Sequence, residues 1–409
     1  MGDNPIRILL VEDNSDDALL LRRTLDEGPR GQFVLVHAER LDAALKTLHG
    51  QTFDVALLDL HLPDSGGVET FLQFHRHAPA IPVVMLTGLD DETSAITAAK
   101  EGAQDYLVKG QFNRGLLVRA IRYAIERNRL ERDLANHARQ LRLKNDQMQA
   151  DLDLAREVQL ALLPQKFPTF PPGVAPGDSK LLFYGRYESA TTLGGDYYDV
   201  FALSDSAAGV LVCDVMGHGV RAGLLTAMIR ALMGELTAPA SGVATDPGRL
   251  LAQINRGLTD ILKQAGTSLF VTAFYLVADA ARGQFRCANA GHPSPLHVQR
   301  SRNTVELVGE DRKPGPALGL FDNAVFDTFE QPMTPGDLVM LFTDGLFEVS
   351  GPSGELYGEK RLLEAVRQHL QLPTNDLFDT LLAEVRQFSH PRELTDDMCL
   401  VGMEVTRAR

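Results

Sequence analysis

Asp59 closes the apolar run Val55-Ala56-Leu57-Leu58 and is followed by Leu62-Pro63 and a Gly66-Gly67 turn. Glu12-Asp13 follow Ile8-Leu9-Leu10-Val11, Thr87-Gly88 follow Val83-Val84-Met85-Leu86, and Lys109 follows Asp105-Tyr106-Leu107-Val108. Three acids, a hydroxyl and an amine thus fall at the ends of four short apolar segments. An open α/β sheet presents its chemistry at the carboxyl edge of its strands. The set suits one hard cation and a phosphoryl group carried on a carboxylate. Glu12, Asp13 and Asp59 would hold Mg2+ through oxygen, and Asp59 would be the nucleophile. Thr87 and Lys109 would bind the phosphoryl oxygens. A single Asp after a strand is commonly a turn former or helix cap, but five such positions in order are not explained that way.

A second set of acids lies further along. It comprises Gly194-Gly195-Asp196-Tyr197-Tyr198-Asp199, then Val210-Leu211-Val212-Cys213-Asp214-Val215-Met216-Gly217-His218-Gly219. It continues with Leu338-Val339-Met340-Leu341-Phe342-Thr343-Asp344-Gly345 and Thr395-Asp396-Asp397-Met398, the last running into Cys399-Leu400-Val401-Gly402-Met403. Each carboxylate abuts an apolar strand, and no Cys or His cluster accompanies them. Carboxylates without thiolates select hard cations, so magnesium or manganese fits and zinc does not. Acids gathered from four separated strands make sense if they neutralise two close dications. Such a pair lowers the pKa of a bridging water and clamps the oxygens of a phosphate.

Residues 1–127 resemble the receiver domain of two-component response regulators, through every β-α repeat of the segment. The resemblance implies a five-stranded parallel, doubly wound α/β sheet and phosphate accepted by Asp59 from a histidine kinase. It also implies Mg2+ held by Glu12 and Asp13, and Tyr106 as an aromatic rotamer switch. Gly110 stands where that family usually has Pro after the Lys, so a trans Lys-Gly peptide is expected. Residues 164–409 resemble the bacterial serine phosphatases of the metal-dependent PPM superfamily, the sporulation and general-stress type. The four acidic motifs carry this in their order, joined by Asn289-Ala290-Gly291-His292-Pro293. The likeness reaches back to Ala155-Arg156-Glu157-Val158-Gln159 and Leu163-Pro164.

The second resemblance implies an α+β fold with a central β-sandwich flanked by helices and metals at one edge. By position, Asp214 bridges two Mn2+ or Mg2+ ions, the Val215 carbonyl binds one, and Asp196, Asp344 and Asp396 complete the set. Ser189 replaces a frequent Pro. Asp199 and Asp397 are read as supporting or structural, His218 as a candidate proton donor or structural residue, and His292 as part of a turn. The substrate implied is a phosphorylated anti-sigma-factor antagonist. The alternative is an adaptor with an inactive phosphatase fold, which a complete metal set argues against.

What must position these groups is legible too. At 409 residues the chain calls for two or three domains. From Leu116 to Leu163 there is no Gly or Pro. Leu130, Leu134, Leu141, Met148, Leu152, Ala155, Val158 and Leu162 recur at steps close to three and four, with His137 and Lys144 on the same stripe. This predicts a helical coiled-coil linker over 128–163 and a parallel homodimer. A net charge of −14 argues against a nucleic-acid partner. No apolar stretch reaches membrane-spanning length. Met1-Gly2-Asp3-Asn4-Pro5 lacks the form of a signal peptide. Cys213, Cys287 and Cys399 are scattered through apolar runs, as in a reduced, cytoplasmic protein.

Overall fold

In the first unit, Ile8, Leu10, Val55, Leu57, Val84 and Leu86 pack into one core, while Leu9, Val11, Ala56, Leu58, Val83 and Met85 pack into another. Successive residues of a strand point to opposite faces, so apolar runs without alternation mean a sheet covered on both sides. The computed structural model describes residues 4–29, 31–88, 97–238, 241–389 and 396–406. Strands β1 (Ile6–Val11), β2 (Phe33–Ala38), β3 (Val55–Asp59), β4 (Val83–Thr87) and β5 (Asp105–Val108) form one sheet. Its order is β2-β1-β3-β4-β5, and all its pairs are parallel. Helices α1 (Ser15–Asp26), α2 (Leu41–Leu48) and α3 (Val68–His77) supply crossovers. The order reverses between β1 and β3, which opens a crevice at their carboxyl ends.

Helix α4 extends over Arg114–Leu162, so the last helix of the receiver-like segment and the expected linker are a single element. Two compact units divide at Asp146 and Gln147, within the span expected to be a linker. The end of α4 belongs to the second unit, where Gln159 and Leu163 are buried. The apolar residues Leu130, Leu134, Leu141 and Met148 are 60–72% exposed. No described helix is long and apolar enough to cross a membrane.

The second unit is two five-stranded sheets between helices. One contains β7 (Asp196–Ala202), β8 (Ala207–Val215), β9 (Val271–Asp279), β10 (Gln284–Ala290) and β13 (Phe329–Pro332). The other contains β6 (Leu181–Glu188), β11 (Leu296–Gln299), β12 (Thr304–Leu307), β14 (Asp337–Phe342) and β15 (Met398–Val405). Neighbouring strands are antiparallel throughout both sheets. Val339, Leu341, Cys399, Val401 and Met403 join the core of the first sheet. Leu338, Met340, Phe342, Met398 and Leu400 instead join a core with α7 (Gly358–His369) and α8 (Thr374–Phe388). The period of two divides the strands between the two cores. Helices α5 (Val220–Leu236) and α6 (Pro247–Ala265) cover the first sheet through Leu225, Ile229, Leu251 and Leu258.

Candidate functional site

The crevice of the first unit gathers every receiver residue that the sequence singled out from the strand ends. Ligand oxygens of Glu12, Asp13 and Asp59 all lie within 4.8 Å of one another. Glu12 and Asp59 are buried, and Asp13 is exposed. Lys109 Nζ lies 2.5 Å from Asp59 Oδ2, 2.6 Å from Glu12 Oε2 and 3.2 Å from Asp17 Oδ2. Burial raises Glu12 to about 7, against the opposing hydrogen bond from Lys109 and with the Asp59 charge adding to the rise. Burial also works against the Lys109 ammonium, but the Asp59 and Glu12 bonds outweigh it and hold the amine above its ordinary range. Among the described residues, the buried Thr87 hydroxyl has no hydrogen-bond partner. An unpaired buried hydroxyl is costly, and this one, at the end of β4 next to the Asp59 strand, can donate to an oxygen-rich group. The Lys109 N–H donates to the Thr87 carbonyl at 2.8 Å, tying the two groups together. Tyr106, half-buried, packs at the margin of the core.

In the second unit, Asp196 and Asp214 stand directly opposite each other on β7 and β8. Like charges paired across strands are destabilising. The second sheet brings Asp344, just after β14, and Asp396, just before β15, to the same group. The pairing of Phe342 with Leu400 sets this arrangement. Gly345 allows the approach, since a Cβ there would lie 1.9 Å from the Asp397 carbonyl. Thr395, quoted with the fourth motif, lies outside the described residues.

The electrostatics of these four acids are one-sided. Burial, then the Asp214 charge, pushes Asp196 well above the usual carboxylate range, against a 2.6 Å bond from Thr343 Oγ1. Asp214 is pushed up to about 7 by burial, then by Asp344 and Asp396. Asp344 is raised to about 6 by burial, then by Asp396 and Glu348. Asp396 is exposed, yet partial desolvation and the Asp397 charge raise it, with the bond from the Asp397 N–H and the His218 charge opposing. Among the described residues, no Lys or Arg is a leading cause of any of these shifts. Hard oxygen donors whose mutual repulsion is so weakly answered by the protein fit divalent cations.

Other residues take clearer parts. Asp397 accepts from Ser189 Oγ at 3.0 Å, the Ala190 N–H at 2.8 Å and the Gly195 N–H at 2.5 Å, so it tethers the loop before Asp196. Ser189 is therefore a donor in that tether. Asp199 accepts from Tyr197 Oη at 3.2 Å and feels Arg230, away from the four acids. His218 is exposed. His292 is buried, its Nδ1 2.8 Å from Thr272 Oγ1, and burial lowers its pKa to about 3, so it is neutral. Sequence reading had no role for Thr343, Glu348 or Gln159. Thr343 is fully buried, and its hydroxyl accepts from the Cys399 N–H at 2.9 Å while donating to Asp196.

Residues 8–122 match the response regulator receiver domain, and residues 204–406 match Stage II sporulation protein E. The chain is a receiver joined to a stage II sporulation protein E domain. Asp214, Asp344 and Asp396 fall inside the second match, and Asp196 just before it. The chain is 26% identical over 259 residues to the phosphoserine phosphatase RsbP of Bacillus subtilis, covering 63% of this chain and 60% of that protein. It is 27% identical over 266 residues to the phosphoserine phosphatase RsbU of the same organism, covering 64% of this chain and 72% of that protein. The SiaA-PP2C domain of Pseudomonas aeruginosa superposes with a TM-score of 0.54 at 22% identity, covering 64% of this chain and 98% of that domain. That likeness shows a shared sandwich fold.

Proposed function

We propose that the chain is a response regulator whose receiver, phosphorylated on Asp59 by a histidine kinase, controls a metal-dependent protein serine/threonine phosphatase. The observation that carries the reading is the set of four converging carboxylates, with no lysine or arginine of the described residues a leading cause of their pKa shifts. Asp196, Asp214, Asp344 and Asp396, with the Val215 carbonyl, would hold two Mn2+ or Mg2+ ions. Bound there, the ions would activate water and neutralise phosphate oxygens. Asp214 faces both Asp196 and the second-sheet acids, as a ligand shared by two ions must. Thr343 orients Asp196 with its hydroxyl, and Asp397 fixes the preceding loop. No side-chain nucleophile is required. His218 is exposed beside Asp396, where it can hand a proton to a leaving serine oxygen.

In the receiver, Glu12 and Asp13 would hold Mg2+, Asp59 would take the phosphoryl group, and Thr87 and Lys109 would bind its oxygens, with Tyr106 as the switch. The names of RsbP and RsbU support phosphoserine as the substrate group. The resemblance to the sporulation and stress phosphatases supports a phosphorylated anti-sigma-factor antagonist as the protein that carries it. The exposed leucines of α4 support a parallel homodimer through its 128–163 stretch, in a cytoplasmic protein.

The test is hydrolysis of a phosphoserine protein by the purified chain with Mn2+, before and after acetyl phosphate. Metal-dependent turnover that acetyl phosphate changes in the wild type, but not in Asp59→Ala, is the expected result. A chain that binds partners yet hydrolyses nothing under any metal condition is an adaptor, and the reading fails.

A further inference from the structure

The two residues that precede Asp196 are glycines, and all four of their backbone polar groups are held. The Gly194 N–H donates to Gln159 Oε1 at 3.1 Å, and the Gly194 carbonyl accepts from Gln159 Nε2 at 2.7 Å. The Gly195 N–H donates to Asp397, and the Gly195 carbonyl accepts from the Val215 N–H at 3.2 Å. Gln159 Nε2 spends its second proton on Thr226 Oγ1 at 3.1 Å. The side-chain amide thus uses both donors and its acceptor inside the protein. A flipped amide would set donor against donor and acceptor against acceptor at Gly194, so one orientation is enforced. Gln159 is 7% exposed.

Glycine is required at both positions. A Cβ on Gly194 would lie 2.2 Å from Tyr187 Oη, and one on Gly195 would lie 2.7 Å from the Val215 carbonyl. Two adjacent glycines have wide backbone freedom, so the course of this loop must be imposed from outside it. Asp397 and Val215 hold Gly195. Gly194 is held on both its polar groups by one side chain, from the last turn of α4. That side chain opens on an apolar groove of about 430 Å³ lined by Leu154, Val158, Leu193, Val220 and Leu224. None of those neighbours can make the bonds in its place.

We infer that Gln159 is a positioning residue for the metal-holding carboxylate of Asp196. It clamps Gly194 through paired hydrogen bonds and so fixes where β7 begins opposite Asp214. What Asp196 then does rests on the phosphatase reading, whereas the clamp itself does not.

The experiment uses the full chain with Gln159→Leu, which removes both bonds, and Gln159→Glu, which keeps size but sets a carboxylate oxygen against the Gly194 carbonyl. Hydrogen exchange of the metal-free protein reads the clamp directly. The peptide spanning 190–197 should exchange about tenfold faster in both variants, as losing one or two hydrogen bonds implies. Calorimetric titration with Mn2+ should show affinity weakened about tenfold. Turnover of p-nitrophenyl phosphate at saturating Mn2+ should stay within about threefold, since Gln159 touches no reacting atom. Thr226→Val removes a partner of Gln159 but leaves both Gly194 bonds, and should change each readout less than about twofold.

Unchanged exchange at 190–197 in Gln159→Leu and Gln159→Glu overturns the inference. So does an equal loss of Mn2+ affinity in Thr226→Val, which would mean general packing. A wild-type chain that binds no Mn2+ while the Gln159 variants still accelerate exchange sinks the phosphatase reading and leaves the clamp standing.

Discussion

Asp59 and Glu12 meet Lys109 at 2.5 and 2.6 Å, whereas Asp196, Asp214, Asp344 and Asp396 meet mainly one another. Both clusters sit at strand ends and both suit hard cations, yet they handle repulsion in opposite ways. The receiver brings its own ammonium, so much of its negative charge is answered by the fold. In the sandwich, acids from two sheets raise one another's pKa, and no Lys or Arg of the described residues is a leading cause opposing that. An internal counterion suits a site whose ligand comes and goes with signalling. An unanswered charge suits a site meant to keep its ions.

The comparison breaks most visibly at Asp214. Asp214→Ala should cut Mn2+-dependent turnover by about 10³-fold, since a shared ligand supports both ions and a loss of that size is about 4 kcal/mol of transition-state stabilisation. The same change should raise the melting temperature of the metal-free chain by relieving repulsion. Steady-state assays beside thermal scans check both, and full activity in the variant would refute the assignment. Lys109→Ala tests the other side. It leaves Glu12 and Asp59 unanswered and should destabilise the receiver by roughly 2 kcal/mol, read by urea unfolding. It should still accept phosphate on Asp59 but transmit it poorly.

A pH experiment sharpens the contrast. Asp214 and Asp344 have folded values of about 7 and about 6, above the roughly 3.9 of an unfolded Asp. Between those limits the native state holds more protons than the unfolded state, so stability falls as pH rises. The metal-free chain should therefore melt lower at pH 8 than at pH 5, with the decline spread from about 4 to about 7. Glu12 contributes with the same sign, so Asp214→Asn isolates the sandwich and should flatten the slope. Saturating Mn2+ should flatten it as well. A melting temperature that climbs over this range would contradict the charge imbalance.

The smallest effect concerns α4. A four-residue insertion near Asn145 turns the downstream part by about 40°, and a seven-residue insertion by about 20°. The shorter insertion should uncouple turnover from Asp59 phosphorylation more than the longer one. Acetyl phosphate titrations of the two variants make the comparison, and equal responses would show that coupling does not depend on helix phase.

Much of this was legible in the chain. Unbroken apolar runs such as Ile8-Leu9-Leu10-Val11 announce doubly covered strands, and the acid, hydroxyl or amine that follows each marks the chemical edge. The absence of Gly and Pro after Leu116 announces the long helix, although a seam on one helix cannot say what covers it. The hidden part is long-range. Thr343 reaches Asp196 across 147 positions, and Asp397 reaches Gly195 across 202. No local period records such contacts. Gln159 lay inside a quoted motif, but its amide gains meaning only when α4 lies against Gly194. Glu348 acquires influence through the turn that follows Asp344, where its N–H donates to the Asp344 carbonyl at 2.7 Å.

The four acids of the sandwich are proposed to hold divalent cations. Turnover of a phosphoserine peptide by the Asp59→Ala chain, stripped with chelator and titrated with Mn2+, tests this assignment most directly because the receiver cannot be phosphorylated at that site. No turnover without metal, a rise that saturates with Mn2+, and no rise when Asp214→Ala is added are the expected results. Hydrolysis that persists in chelator, or that Mn2+ restores equally without Asp214, would contradict the assignment.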